Sequence, residues 1–199
     1  GVRLARFFTG RPMSVAVKIC GVTSIHDAEA AVAAGCSAVG LNLVPRSARH
    51  IDVETARAIV EHVGGKTRWV AVVADPSPAD VETVLERVAV DYLQFHGDEP
   101  ADFCARFKVP YIKAVTVDSA FDFESFAATY ADACALLLDN ESGGSGETFD
   151  WSAWPKGVDR CLVLAGGLDA GNVADAIRAT GARIVDVASG VERDGDKLS

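Results

Sequence analysis

Eight short apolar runs, spread along the whole chain, constrain the fold more than any other feature of the sequence. They are nearly continuous stretches rich in Val, Ile, Leu and Ala, which is typical of parallel strands that are buried on both faces. Segments with the polar–apolar periodicity of amphipathic helices separate them. The predicted strands are residues 15–19, 38–43, 68–73, 91–95, 111–115, 135–139, 161–164 and 183–187.

This alternation predicts an α/β fold, a single (β/α)8 TIM barrel domain formed by residues 15–199. A doubly wound open sheet is the alternative with the same order of elements. Helix boundaries support the alternation, since Ser, Asp and Gly stand where helices are expected to begin and end. The predicted N-caps are Ser24, Asp52 and Ser77, and the predicted C-terminal glycines are Gly35 and Gly181.

The two ends of the chain fit this barrel less well. Residues 1–14 contain the only methionine, Met13, and the segment before it is basic with no acidic residue. We predict an N-terminal extension that is disordered or is an artefact of the assigned translation start. Residues 188–199 follow the last strand and are too few and too polar for a full helix. We therefore expect the eighth helix to be missing or truncated and the chain to be destabilised.

Composition disfavours several classes of partner. The net charge of -9 disfavours binding to nucleic acids or anionic membranes, whereas a small anionic ligand needs only a local positive site. The five cysteines include no CxxC pair, which disfavours a zinc site or a disulfide framework and favours a reducing compartment. No apolar run approaches the ~20 residues that span a bilayer. We predict a cytoplasmic protein with no nucleic-acid partner, no membrane partner and no metal.

Cys20 is the first candidate for a functional residue, because it ends the first strand and Gly21 follows at once. A lone cysteine is most often a small buried hydrophobe. However, reactive residues of barrel enzymes gather at the C-terminal ends of the strands, where a side chain faces the cavity. A reactive thiolate needs a lowered pKa, which nearby positive charge supplies. Lys18 lies on the same face of the strand, at a distance that the sequence does not give.

Four further polar residues lie at or after the ends of strands. Asp139 ends an otherwise apolar strand, and such a carboxyl group can have a raised pKa and donate a proton, although a turn or cap is an equal alternative. Arg49 and Arg46 could hold a carboxylate by paired hydrogen bonds, or be solvated. His96 fits a ligand contact, a base or a structural histidine.

Two small-residue turns follow the seventh and eighth strands, in LAGGL (164–168) and VASGV (187–191). Barrels commonly bind phosphate at these two loops through backbone N–H groups. Either turn alone is explained as a tight turn. Occurring together in this order, they predict a phosphate site.

The motifs KICGVTS, GLNLVPRSARHI, YLQFHGDEP, LLLDN, GGSGETFDW, LAGGL and DVASGVE occur in this order. Together they resemble the phosphoribosylanthranilate isomerases of tryptophan biosynthesis over residues 17–192. The resemblance implies a (β/α)8 enzyme without a cofactor. Such an enzyme converts N-(5-phosphoribosyl)anthranilate to 1-(2-carboxyphenylamino)-1-deoxyribulose 5-phosphate by an Amadori rearrangement. It also implies a phosphorylated small molecule as the partner and a monomer or homodimer.

The resemblance also implies roles for individual residues. Cys20 is the expected general base and Asp139 the expected general acid. The expected substrate-binding residues are Arg49, at the anthranilate end, Asp186, at the sugar, and His96. The expected phosphate-binding residues are Gly166, Gly167, Ala188 and Ser189.

Two departures from the family pattern lie in these motifs. Asn42 stands at a strand position that is usually apolar, near Arg49, and Ala188 replaces a usual serine while keeping its backbone N–H. Two other functions stay open. A related histidine-pathway sugar isomerase would use an aspartate as base at the first strand, which Cys20 disfavours. A barrel that binds a sugar phosphate without turnover is the non-enzymatic alternative.

Overall fold

Eight parallel strands, taken in chain order, close into a barrel in which β1 pairs with both β2 and β8. The computed structural model describes residues 15–118, 120–140, 151 and 154–192. The strands are β1 (Ala16–Cys20), β2 (Ala38–Asn42), β3 (Arg68–Val73), β4 (Tyr92–Phe95), β5 (Tyr111–Val117), β6 (Ala135–Asn140), β7 (Leu162–Leu164) and β8 (Ile184–Val187). All eight predicted strands are confirmed, and the pairing of β1 with β8 excludes the open sheet.

Six helices lie on the outside of this barrel within the described part of the chain. They are α1 (Ile25–Ala33), α2 (Val53–Val63), α3 (Pro78–Arg87), α4 (Ala101–Ala105), α5 (Phe123–Thr129) and α6 (Val173–Thr180). The side chains of Ser24, Asp52 and Ser77 cap the first three helices as predicted. Gly181 is the left-handed C-cap of α6, whereas Gly35 lies one residue beyond the C-cap of α1, with φ +85°.

The strands are apolar on both faces because successive side chains point alternately into the barrel and toward the helices. On β6, Ala135 and Leu137 belong to the cluster that fills the barrel. Leu136 and Leu138, between and after them, pack in the clusters between the barrel and the helices. A polar residue that follows this alternation at a strand end therefore faces the barrel mouth.

Two predictions concern residues outside the described ranges. The N-terminal extension, residues 1–14, and the absent eighth helix, for residues 193–199, stay untested predictions. The glycine-rich segment GGSGETFD, within residues 141–150, lies outside them as well. Among the helices that are described, none is long and apolar enough to cross a membrane.

Candidate active site

Cys20, His96 and Asp139 all reach the mouth of the barrel, because each continues the inward-facing positions of its strand. Cys20 lies four residues after inward-facing Ala16, and Asp139 lies two residues after inward-facing Leu137. His96 follows β4, four residues after inward-facing Tyr92. Two strands, β7 and β8, separate β1 from β6 along the shorter path around the barrel. The predicted acid and base thus stand on different sides of one opening.

Beneath Cys20, a buried ion pair joins β1 to β8. The Lys18 ammonium lies 2.9 and 2.8 Å from the two carboxylate oxygens of Asp186, and the two side chains are only 1% and 8% exposed. Gly40 of β2 lies opposite Cys20. A Cβ atom at Gly40 would stand 2.8 Å from the Cys20 sulfur and 3.1 Å from the Lys18 nitrogen. The sulfur and the ammonium therefore share the space that this glycine leaves open.

The protonation of Cys20 reflects these neighbours. Burial and the Asp186 carboxylate raise the pKa of the Cys20 thiol, while Lys18 and, more weakly, Arg49 oppose the increase. Burial by itself would lower the pKa of Lys18, but Asp186 and Cys20 outweigh it, and the pKa of Lys18 lies above its ordinary value. Lys18 is therefore a cation throughout the neutral range, and its charge favours the thiolate form of Cys20. The net pKa of the thiol nevertheless lies above its ordinary value, because burial and Asp186 outweigh Lys18, so the lowered pKa that a reactive thiolate needs is not found in this structure.

Arg49 reaches the same opening from the loop between β2 and α2. Its side chain passes over Gly21, where a Cβ atom would overlap the aliphatic part of the arginine. The Nε of Arg49 donates to Glu192 at 2.5 Å, from the segment after β8. Asn42 builds this loop, since its amide donates to Ser47 and accepts from the Val44 N–H, both at 3.0 Å. The unusual polar residue in β2 thus shapes the segment that carries Arg49.

On the other side of the opening, His96 faces Asp139, with the Nε2 of the ring 3.6 Å from a carboxylate oxygen. The fully buried Gln94 contacts Nδ1 of the ring through its amide nitrogen at 3.4 Å. If Gln94 donates to Nδ1, the ring proton is on Nε2 and points toward Asp139. Burial lowers the pKa of His96, against the opposing effect of Asp139. The ring is therefore neutral near pH 7.

The two predicted phosphate turns lie side by side. Gly166 and Gly167 both have positive φ, +89° and +61°. Asp169, just after them, forms a parallel bridge with Gly190 of the loop after β8. A Cβ atom at Gly190 would stand 2.7 Å from the Asp169 Cα, so only glycine permits this approach. This bridge brings the Gly166–Gly167 turn next to Ala188 and Ser189.

A second buried ion pair fixes the loop after His96. Glu99 lies 2.9 Å from the Lys113 ammonium and accepts the backbone N–H groups of Asp75 and Gly97. Lys113 also donates to the Gly97 carbonyl at 2.5 Å. Apart from the contact between Glu99 and Lys113, all of these contacts are made with backbone groups of loops. The network therefore holds the β3–α3 and β4–α4 loops around His96.

The structure brings all the predicted site residues to one end of the barrel. They form one group around Cys20, a second group of His96 and Asp139, and the two turns after β7 and β8. Sequence reasoning missed Gly40, Gln94 and Glu192, because their contacts depend on strands and loops that are distant in sequence. Among the described residues, no group of His, Cys, Asp and Glu side chains could hold a metal ion.

Comparison with known proteins gives a consistent picture. A sequence profile of the family described as N-(5'phosphoribosyl)anthranilate (PRA) isomerase matches residues 17–198. An N-(5'-phosphoribosyl)anthranilate isomerase of Nitrosomonas europaea is 44% identical over 196 residues, which cover 94% of this chain and 93% of that protein.

Solved structures agree with the sequence match. The crystal structure of phosphoribosyl anthranilate isomerase from Thermotoga maritima has a TM-score of 0.83 and 38% identity, covering 92% of this chain and 95% of that one. A phosphoribosyl anthranilate isomerase in complex with reduced 1-(o-carboxyphenylamino)-1-deoxyribulose 5-phosphate has a TM-score of 0.77 and 33% identity. That comparison covers 92% of this chain and 95% of the other.

Proposed function

The chain belongs to the N-(5'-phosphoribosyl)anthranilate isomerase family, and we propose from this that it catalyses the isomerisation of N-(5'-phosphoribosyl)anthranilate in tryptophan biosynthesis. The product is 1-(2-carboxyphenylamino)-1-deoxyribulose 5-phosphate. One observation carries the proposal: the Cys20 thiol and the Asp139 carboxyl group lie at the C-terminal ends of two different strands at one barrel mouth, beside two adjacent glycine turns. An Amadori rearrangement needs an acid and a base on different sides of the substrate.

We assign the two anionic groups of the substrate to two sets of residues at this opening. Its phosphate group binds at the turns that contain Gly166, Gly167, Ala188 and Ser189, where backbone N–H groups suit an anion. Its anthranilate carboxylate binds the guanidinium of Arg49, whose Nη atoms suit a planar carboxylate. A relative of known structure holds a reduced ribulose phosphate with the same two anionic groups.

The acid step belongs to Asp139. Its carboxyl proton passes to the furanose ring oxygen as the C1′–O bond breaks, and the anthranilate nitrogen forms a protonated Schiff base with C1′. Asp139 is left as a carboxylate beside His96, 3.6 Å away. The neutral ring of His96 favours that carboxylate as a nearby dipole, from a distance slightly longer than a hydrogen bond. His96 thereby contacts the acid and the sugar without competing for the proton.

The base step belongs to Cys20. The protonated Schiff base acidifies the hydrogen on C2′, and the thiolate removes it as an S–H bond forms. The electron pair of the broken C–H bond becomes a C1′–C2′ double bond and neutralises the nitrogen. The resulting enol then becomes the ketone product, as C1′ gains one proton and the C2′ hydroxyl loses one. Asp186, on β8 beside the strand of Cys20, is the residue that we assign to the hydroxyl groups of the sugar. No step requires a cofactor.

The setting of the reaction follows from the same residues. All five cysteines are free, which suits the reducing cytoplasm where we place the enzyme. We expect a monomer or a homodimer, and sedimentation equilibrium distinguishes these.

The experiment that tests this function follows the fluorescence of freshly prepared N-(5'-phosphoribosyl)anthranilate with the parent chain. It is repeated with Cys20→Ala, Asp139→Asn and, as a matched control, Cys36→Ala, a partly buried cysteine beneath α1 and away from the mouth. We expect the first two variants to lose on the order of 10²–10⁴ in kcat, and the control to retain the parent rate. A Cys20→Ala rate equal to that of the parent would remove Cys20 from the mechanism. If no variant and no parent turns over, the barrel binds a sugar phosphate without catalysis.

A further inference from the structure

Lys18 has an unusual position for a lysine, since it is buried inside the barrel with 1% of its surface exposed. A lysine ammonium has three N–H donors and a flexible stem. Two of the donors are directed at the two carboxylate oxygens of Asp186, at 2.9 and 2.8 Å. This double contact fixes the ammonium in one place, between β1 and β8. One donor is left for a third partner.

The sulfur of Cys20 is the candidate for that partner, because both groups border the space beside Gly40. Lys18 and Cys20 are two residues apart on β1 and point to the same side. Opposite them, Gly40 leaves space because it has no side chain. A Cβ atom added at Gly40 would lie 2.8 Å from the sulfur and 3.1 Å from the ammonium nitrogen. The interaction of the two groups also appears in their protonation, since each favours the charged form of the other.

The charged groups that face Cys20 come from three directions. Lys18 lies below it on β1, Asp186 lies beside it on β8, and Arg49 lies above it in the β2–α2 loop. Across the mouth, His96 and Asp139 form the next charged or titratable pair. Of the two cations, Lys18 acts more strongly than Arg49 on the protonation of the thiol.

We propose that Lys18 is a positioning residue, whose ammonium is held by Asp186 and donates a hydrogen bond that fixes the Cys20 thiolate toward the barrel mouth. The proposal rests on the proposed function, because the thiolate is the base in that reaction. It assigns Asp186 a second task besides contact with the sugar. The two charges of the ion pair then act oppositely on the Cys20 thiol. Removing the ammonium favours the thiol form, and removing the carboxylate favours the thiolate form.

This opposition separates the proposal from a purely structural role. If the pair only joins β1 to β8, Lys18→Met and Asp186→Asn both weaken the barrel, and neither has a signed effect on the thiol. If Lys18 supports the thiolate, Lys18→Met leaves Cys20 beside an unpaired carboxylate and raises the pKa of the thiol. Asp186→Asn leaves Cys20 beside an unpaired ammonium and lowers that pKa.

The measurement is the rate of alkylation of Cys20 by iodoacetamide as a function of pH, resolved by peptide mass spectrometry. Only the thiolate reacts, so the midpoint of the rate profile reports the pKa of Cys20. We expect the midpoint to move up by about one pH unit or more in Lys18→Met and down by a similar amount in Asp186→Asn. The double variant Lys18→Met/Asp186→Asn returns toward the parent. Cys36 serves as an internal control, because its own pKa is raised by burial far from this pair.

Midpoints of Cys20 that stay within about 0.3 units of the parent in both single variants, or that move in the same direction, would overturn the proposal. If Lys18→Met does not fold, Lys18→Gln takes its place, because it also removes the ammonium: an upward shift supports the role of Lys18, and no shift or a downward shift refutes it. If none of the single variants folds, the double variant decides: a midpoint at or above that of the parent supports the role of Lys18, and a midpoint well below it refutes that role, because the Asp186 carboxylate alone would then dominate the thiol. The readout does not depend on turnover. An inactive parent whose single variants show the expected shifts would refute the function while leaving this inference standing.

Discussion

Two buried ion pairs among the described residues have nearly the same N–O distance but differ in what surrounds them. Lys18–Asp186 and Lys113–Glu99 have N–O distances of 2.8 and 2.9 Å, with all four side chains at most 8% exposed. Around Lys113–Glu99, the remaining contacts are to the backbone of Asp75 and Gly97 and to the ring of Tyr130, 5.5 Å from the ammonium. Around Lys18–Asp186, the adjacent group is the thiol of Cys20.

This difference gives the two pairs different roles: Lys113–Glu99 stabilises loops of the site, whereas Lys18–Asp186 lies beside a proposed catalytic side chain. Charged groups buried inside a protein are costly unless other polar groups satisfy them. The backbone of two loops satisfies Lys113–Glu99, so that pair contributes rigidity to the segment that carries His96. The pair below Cys20 has a reactive side chain as its neighbour instead, so a change in its charge changes the protonation and the reactivity of the thiol.

The largest expected effect comes from breaking the structural pair. Lys113→Met leaves the Glu99 carboxylate buried without its cation, and we expect the free energy of unfolding to fall by about 3–5 kcal/mol. Urea denaturation at pH 7 measures this loss. Lys66→Met, at an exposed lysine in the turn before β3, is the matched control and changes stability by less than about 0.5 kcal/mol.

The alkylation of Cys20 in the Lys113→Met variant tests whether the two ion pairs act differently on the thiol. Lys113 is absent from the groups that act most on the protonation of Cys20, so the alkylation midpoint of Cys20 is expected to stay at the parent value. A midpoint shifted as far by Lys113→Met as by Lys18→Met would show that the two pairs do not differ in function.

A second, smaller contrast compares one glycine from each region. Gly40→Ala places a Cβ atom 2.8 Å from the Cys20 sulfur, so the thiol and the ammonium must move. We expect kcat/KM to fall about tenfold, which corresponds to ~1.4 kcal/mol of activation free energy. Gly97→Ala instead places a Cβ atom 2.7 Å from the backbone nitrogen of Asp75. We expect it to lower the stability by about 1–3 kcal/mol.

Steady-state kinetics and urea denaturation on both glycine variants check this contrast. Each variant is the control of the other, because both changes add a single methyl group at a crowded glycine. The contrast fails if Gly40→Ala loses as much stability as Gly97→Ala while its kcat/KM stays at the parent value. That result would mean that the cavity beside Cys20 is a packing feature without a role in the reaction.

The fold could be predicted from the sequence to a greater extent than the site. Strands buried on both faces produce continuous apolar runs, and these runs identified all eight strands. The boundaries differ by one or two residues: for example, β5 continues to Val117, two residues beyond its predicted end, and β8 begins at Ile184, one residue after its predicted start. Helices α4 and α5 were not singled out, because elements as short as Ala101–Ala105 have too few turns to show a period.

The site residues were found from their positions at strand ends, but their partners were not. The pattern places Lys18 on the face of Cys20, yet its partner Asp186 is 168 residues away along the chain. Glu192 is 143 residues from Arg49 in the same way. Gly40 was missed for another reason: its effect is the absence of a side chain opposite Cys20, which only the strand register reveals.

The smallest expected effect lies at the outer end of the Glu99–Lys113 network, where Arg46 contacts Asp75 at 3.5 Å with 74% of its side chain exposed. Arg46→Met changes stability by less than about 0.5 kcal/mol, because water screens an exposed pair. The KM for N-(5'-phosphoribosyl)anthranilate stays within about twofold, which is less than ~0.5 kcal/mol of binding. Arg49→Met is the matched variant at the neighbouring arginine, and we expect its KM to rise at least about tenfold with the loss of the carboxylate contact. Steady-state kinetics on both variants measures the two KM values. An increase in KM for Arg46→Met as large as that for Arg49→Met would contradict the assignment, because the anthranilate end would then bind at the network of Glu99 and Lys113 rather than beside Cys20.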